Sequence, residues 1–257
     1  MKRIIQIVLF VIFAMAVSGL MGFIYLENGK QQINEIIVRV DRKTEKGFVS
    51  AETIRMNIEN IDSLMSRQIN EISIDDIEGF LNNNVYVEKA DAYINIDKNL
   101  IVNIRERNPI LRVYSKKNEG FYLDENGNML PLSPKYTARV LVANGYINAG
   151  FNKAFPNIFD TINKSSQLTD LFKITRLIRE NTFLNAQISQ LYVNSKLEYD
   201  LIPELGDQVI QFGKADNTKE KLDKLEIWYK NAFVKEDGDK YKFINLKYKD
   251  QVVCTKK

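Results

Sequence analysis

The opening apolar stretch constrains this chain more than any other feature. Residues 4–26 contain only two polar side chains, Gln6 and Ser18. As an α-helix rising about 1.5 Å per residue, the stretch reaches roughly 34 Å, and the hydrocarbon core of a bilayer is about 30 Å thick. Lys2 and Arg3 precede it, and basic residues favour the cytoplasmic side of a membrane. The sequence therefore predicts a single membrane-spanning helix, with the N-terminus in the cytoplasm.

A cleaved secretory signal is the alternative interpretation, because it would send the same chain across the membrane as a soluble product. The stretch exceeds the usual signal core of about 7 to 15 residues, and residues 19–25 lack a clear small-x-small cleavage site. Tyr25 also suits an interfacial anchor. These features favour a retained anchor. The predicted segments are a cytoplasmic tail (1–3), a transmembrane helix (4–26), a linker (27–32), a first domain (33–109) and a second domain (110–257).

Missing residue types restrict the chemistry that the chain can perform. It has no histidine, which excludes histidine-dependent catalytic triads and zinc protease sites. Its one cysteine, Cys254, cannot form an intramolecular disulfide. The pattern favours Cys254 as a small strand residue, and a reactive or intermolecular thiol is the alternative. The 36 Lys and Arg nearly balance the 33 Asp and Glu, so no strong field indicates nucleic acid, and no cofactor is predicted.

The region after the linker predicts a small α+β unit. Residues 33–40 are rich in β-branched side chains, as in a strand, and Ser50 and Ser73 are candidate N-caps of two amphipathic helices. Residues 85–96 and 100–107 predict a hairpin around a short turn. The order is strand, helix, helix, strand, strand, with two helices on a three-stranded sheet. The second helix is expected to bury Ile74, Ile77, Phe80 and Leu81.

The pattern beyond Pro109 is mostly β, with two helices predicted at 168–181 and 217–233. The C-terminal stretch 243–255 predicts one long terminal strand. The fold class is therefore α+β, with a mostly antiparallel second domain. Other strands are expected at 111–114, at 120–132 around a turn at 124–127, and at 139–143, 188–193, 196–201 and 208–212.

Several motifs, in this order along the chain, resemble the FtsQ/DivIB family of bitopic cell-division proteins. Phe48 to Ile54 resembles the opening of that family's POTRA domain, and Val87 to Ala90 resembles its Val-x-x-Ala motif. Glu106, Arg107 and Pro109 match its Glu-Arg-x-Pro signature. Four further stretches resemble its β-domain: 120–132, 139–145, 210–213 and 244–248.

The resemblance implies a non-enzymatic scaffold at the division septum, held in the inner (plasma) membrane by one helix, with most of the chain in the periplasm. It implies a POTRA-like β-α-α-β-β domain followed by the β-domain. It also implies FtsB-like and FtsL-like partners, with the FtsB-like protein adding a strand at the C-terminal strand. An open strand edge independently permits such addition. The matching positions here are Lys247, Tyr248, Lys249, Gln251, Val252 and Val253.

Each of these six residues has an expected role. Tyr248 is expected to supply aromatic contact area, and Lys247 and Lys249 to pair with acidic partner residues. The backbone of residues 251–253 is expected to extend the ladder of hydrogen bonds. The alternative is an ordinary strand with Tyr248 packed inward and lysines that protect an edge from aggregation.

Two other functional classes stay open at this point. One is an envelope enzyme that acts on peptidoglycan, for which the acid pairs Asp75-Asp76, Asp124-Glu125 and Glu236-Asp237 are candidates. These pairs fall at helix starts or turns, where carboxylates cap helices or solvate loops, so catalysis is disfavoured. The other is a POTRA-bearing transport or secretion component. It is disfavoured because the chain lacks a long series of alternating strands of about ten residues.

Overall fold

The computed structural model divides the chain into two compact units, Met1–Glu106 and Arg107–Lys257. It combines helices with two β-sheets, which confirms the predicted α+β class. The described residues are 2–61, 64–151, 153–154, 156–160, 166–234 and 240–257.

The first helix, α1, covers the apolar N-terminal stretch at Lys2–Gly29. Among its described side chains, Ile7, Phe13 and Met21 are 63%, 67% and 69% exposed. Across the described residues, none of the helices meets the combined requirement of length and apolar character for crossing a bilayer.

The first unit contains a three-stranded sheet with the last strand in the middle. The central strand, β3 (Leu100–Glu106), lies parallel to β1 (Ile36–Asp41) and antiparallel to β2 (Val87–Ile94). Helices α2 (Ala51–Glu59) and α3 (Ile74–Asn82) follow β1 in the chain. The predicted order of strand, helix, helix, strand, strand is confirmed. Two 3-10 turns, Leu64–Ser66 and Ile69–Glu71, separate the helices.

Serine caps set the starts of both helices, as predicted. The Ser50 hydroxyl accepts the N–H of Thr53 at 3.5 Å, and the Ser73 hydroxyl accepts the N–H of Asp76 at 3.2 Å. Each cap satisfies one of the N–H groups that the first helical turn leaves without an intrahelical acceptor.

The expected core face of α3 needs one correction. Ile77 and Leu81 are buried and Ile74 is half-buried, but Phe80 is 48% exposed. The prediction that Phe80 faces the core is wrong, because Phe80 lies roughly a quarter turn around the helix from the line through the other three. The core of this unit is instead completed by residues of the sheet and of α2, among them Ile54, Ile58, Leu100, Val102 and Ile104.

Glu106, at the end of β3, anchors the loop before α2. Its side chain is 4% exposed and accepts the N–H of Phe48 at 2.6 Å and that of Val49 at 3.4 Å. The guanidinium of Arg42 lies 3.7 Å away. A buried carboxylate is costly without such partners, so the loop and the strand end stabilise each other.

The second unit is built on one large mixed sheet. Within its described residues, the strand order is β12-β11-β10-β9-β8-β7-β4-β5-β6. The pairs β4–β7, β7–β8 and β10–β11 are parallel, and the other pairs are antiparallel. The strands are β4 (Pro109–Tyr114), β5 (Gly120–Asp124), β6 (Met129–Pro131), β7 (Leu141–Gly145), β8 (Ile188–Val193), β9 (Tyr199–Pro203), β10 (Val209–Gly213), β11 (Tyr241–Asn245) and β12 (Val253–Lys256).

The second unit has a hydrophobic core formed by the large sheet and three helices. They are α4 (Ser166–Glu180), α5 (Thr182–Gln187) and α6 (Thr218–Val234). Alternate residues of β9 are buried, as expected for a strand with one face against a core. The buried cluster joins helix residues to sheet residues, among them Leu171, Ile174, Ile178, Leu222, Leu225, Leu191, Leu201, Ile210, Phe212 and Ile244.

Asp124 organises the turn between β5 and β6. Its side chain is 1% exposed, and the Arg107 guanidinium donates to Oδ2 at 3.1 Å. Oδ1 accepts the N–H groups of Asn126 and Asn128 at 2.9 and 2.8 Å, and the Asn128 amide donates to Oδ2 at 2.9 Å. The carboxylate is therefore surrounded by donors, which is how a buried charge is stabilised.

Candidate functional site

The C-terminal end of the large sheet exposes a strand edge. β12 pairs with β11, with Cys254 opposite Ile244 and Val253 opposite Asn245, and no described strand lies beyond it. The N–H of Lys257 donates to the carbonyl of Lys240 at 3.0 Å, so the backbone N–H and C=O groups of Lys257 point toward β11. Because the backbone groups of successive residues in a strand point to alternate sides, the N–H and C=O groups of Cys254 and Lys256 face away from β11. We call these four backbone groups the β12 free ladder.

The prediction of one strand over residues 243–255 is wrong. The chain leaves β11 after Asn245, forms a loop at 246–252 and returns antiparallel as β12. The Asn245 side chain accepts the N–H of Lys247 at 3.0 Å, a local bond that favours a turn. Asp250 has a φ of 59°, in the left-handed region that bends the backbone.

Two lysines hold this loop in place. Lys224 belongs to α6, outside the loop, and Lys247 belongs to the loop itself. The Lys224 ammonium of α6 donates to the carbonyl of Tyr248 at 2.7 Å and lies 3.5 Å from that of Leu246. The Lys247 ammonium forms an ion pair with Glu198 at 2.7 Å. The loop therefore has a defined position on the second unit, set by contacts with residues far away in sequence.

The structure brings the six predicted residues together in this loop and at the start of β12. Lys247 is engaged with Glu198, while Tyr248 is 51% exposed and Lys249 is exposed. The expected backbone pairing over residues 251–253 does not match the strand, because only Val253 belongs to β12. Gln251 is exposed, Val252 packs against the core of the second unit, and Val253 is 41% exposed.

Sequence reasoning missed the residues that fix this corner. Lys224 and Glu198 hold the loop, and Lys256 contributes to the β12 free ladder. Trp228 of α6 packs edge-on against Tyr241 of β11, with ring centroids 6.1 Å apart. The single tryptophan in a lysine-rich helix was the one available signal.

Cys254 is half-buried and packs against the core of the second unit. Burial raises the pKa of its thiol, against a smaller lowering by a hydrogen bond with Trp228. A raised pKa disfavours the thiolate, which is the reactive form.

The Lys247–Glu198 ion pair makes the loop sensitive to acid. The hydrogen bond from Lys247 is the main reason that the pKa of Glu198 lies below its ordinary value. A carboxyl pKa that is lower in the folded protein stabilises the fold at pH values above the unfolded pKa, which is near 4.5. That stability is lost as the pH falls through the folded pKa.

We expect Lys247→Ala to return the Glu198 pKa toward its ordinary value in a carboxyl NMR titration. Lys249→Ala, which changes an exposed lysine of the same loop, should leave it unchanged, and equal shifts in both variants would contradict the assignment.

The candidate acid pairs take different positions. Asp75 and Asp76 lie in the first turn of α3, and Asp124 is surrounded by donors. The pair at 236–237 lies outside the described residues. Among the described residues, no group of three or more histidine, cysteine or acidic side chains is placed to hold a metal ion.

Comparison with known proteins identifies the family. The family model described as FtsQ/DivIB, C-terminal related, matches residues 108–255, which is more than half of the chain and includes every strand of the large sheet except the last residue of β12, Lys256. No curated protein matches the sequence. The match covers the loop at 246–252 and the Cys254 groups of the β12 free ladder. The chain therefore belongs to the FtsQ/DivIB family.

Proposed function

We propose that this FtsQ/DivIB family protein acts in cell division as a non-enzymatic scaffold, which joins FtsB-like and FtsL-like partners to early and late components of the division machinery. The β12 free ladder carries the proposal: in a protein of this family, an unpaired strand edge can accept an extended segment of an FtsB-like partner. The absence of histidine supports a role in assembly, because the commonest general base is missing.

The surroundings of the edge favour a partner. Tyr248 and Val253 are 51% and 41% exposed, and an aromatic side chain beside an open ladder offers contact area for binding. Lys249 and Lys256 are exposed and can attract acidic partner residues. Lys247 is already paired with Glu198, so its contribution would be to hold the loop in place.

Membrane anchoring by α1 is part of the same proposal. The support is the apolar stretch at 4–26 together with its exposed side chains, which lack a covering layer in the described first unit. The basic Lys2 and Arg3 favour a cytoplasmic N-terminus, which places the two units on the periplasmic side of the plasma membrane at the septum.

Depletion of the protein in its native cells tests the proposal against the two other classes. We expect filamentous cells in which septa fail to close, because the division machinery does not assemble. Altered wall fragments with normal division would instead support a peptidoglycan enzyme. Loss of secreted or outer-membrane proteins with normal division would support a transport component.

A further inference from the structure

The two edges of the small sheet in the first unit differ in their hydrogen bonding. On β2, the groups that face away from β3 belong to Ala90, Ala92 and Ile94. Side chains of α3 bind two of these residues. Asn82 accepts the N–H of Ala90 at 2.9 Å and donates to its carbonyl at 3.5 Å, and Glu78 accepts the N–H of Ala92 at 2.6 Å. Side chains of α3 therefore seal the outer edge of β2 at Ala90 and at the N–H of Ala92.

The outer edge of β1 has no such seal. The N–H of Leu100 donates to the carbonyl of Glu35 at 2.9 Å, which sets the residues of β1 that bond to β3. The alternation along a parallel pair then turns the N–H and C=O groups of Ile36, Val38 and Val40 outward. No residue of the described chain donates to or accepts from these outward groups.

The side chains of β1 specify what can bind beside it. Val38 and Val40 are half-buried and pack against the core of the first unit, so part of their apolar surface stays open at the edge. On the opposite face, Ile37 is half-buried and Arg39 is exposed, with Asn103 as its neighbour on β3. No described carboxylate forms an ion pair with Arg39, so a free cation lies at the middle of the open edge.

We propose that the outer edge of β1 is a second docking site, which takes an extended amphipathic segment of a partner protein. Apolar residues of that segment would continue the core beside Val38 and Val40, and an acidic residue would lie opposite Arg39. The seal on β2 explains why the docking edge is β1, since an incoming strand at β2 would first have to displace Asn82 and Glu78. This site is independent of the β12 free ladder and goes beyond the function proposed above.

A synthetic peptide tests the proposal on the full chain in mild detergent. The probe is an eight-residue peptide that alternates valine with threonine and carries one glutamate at a central polar position. We expect saturable binding, with slower amide exchange at Ile36, Val38 and Val40 and unchanged exchange at Ala90 and Ala92. Absence of saturable binding, or protection at β2 instead of β1, would overturn the proposal.

Two variants and a matched control sharpen this test. Arg39→Glu should weaken binding at least tenfold, and a peptide with lysine in place of the glutamate should restore it. Val38→Pro should also weaken binding, because it removes an outward N–H that the native sheet does not use. Arg55→Glu makes the same charge change on an exposed position of α2 and should bind normally. Equal effects of Arg39→Glu and Arg55→Glu, or a dimer paired through β1 without peptide, would contradict the proposed occupant.

Discussion

Replacing Asp124 by alanine is expected to lower the free energy of unfolding of the second unit by about 3 to 5 kcal/mol, the usual cost of breaking a buried ion pair. The change leaves the Arg107 guanidinium without its carboxylate and removes the acceptor of the Asn126 and Asn128 N–H groups. The turn between β5 and β6 would then lose the bonds that hold it. Urea denaturation followed by Trp228 fluorescence measures this effect, because the only tryptophan of the chain lies in the second unit.

Glu125→Ala is the matched control for this experiment. Glu125 is the next residue in the same turn, but it is exposed, and its carboxylate accepts a hydrogen bond from the side-chain amide of Asn108 at 3.0 Å. Removal of a surface carboxylate of this kind usually changes stability by less than about 1 kcal/mol. Equal destabilisation by both changes would show that the turn, and not the buried carboxylate, carries the stability.

Substitution of Lys256 by proline is expected to weaken binding of an FtsB-like partner ten- to a hundredfold. The N–H of Lys256 faces away from β11, so proline removes a donor from the β12 free ladder without breaking a bond of the native sheet. One lost hydrogen bond is worth about 1 kcal/mol, and the ring also obstructs an incoming strand. Titration of the full chain with the soluble domain of the partner gives the dissociation constant.

Lys256→Ala separates the backbone effect from the effect of charge. Alanine removes the same positive charge but keeps the N–H, so we expect at most a threefold loss of affinity, as is usual for a rim charge. If proline and alanine weaken binding equally, the partner does not pair with this edge. In that case a test of Tyr248→Ala would show whether side chains of the loop alone make the contact.

Local signals predicted the elements that depend on neighbouring residues. Ser50 and Ser73 start their helices because each side chain reaches an N–H only three residues away. The turn at Asp124 is likewise made by bonds within five residues of sequence. The strand predicted at 188–193 has the same limits in the structure.

Long-range contacts decided the elements that were predicted wrongly. The end of β11 depends on the N–H of Leu246 bonding to Gln211, and the loop that follows depends on Lys224 bonding to Tyr248. The run 243–255 carries apolar residues at both ends, and the polar residues 249–251 between them do not reveal these distant partners. The pairing of Lys247 with an acidic residue of another protein stays a prediction; within the chain, Glu198, 49 residues away, holds its ammonium group.

Residue patterns alone predict the apolar N-terminal stretch, the succession of strands and helices in the first unit, and the resemblance to the family. Which sheet edges are open follows from how the chain packs in three dimensions. β12 and β1 expose unpaired backbone groups, whereas side chains of α3 seal β2. The physical reason is that every strand carries the same N–H and C=O groups, and whether they are satisfied depends on which other parts of the chain folding brings beside them.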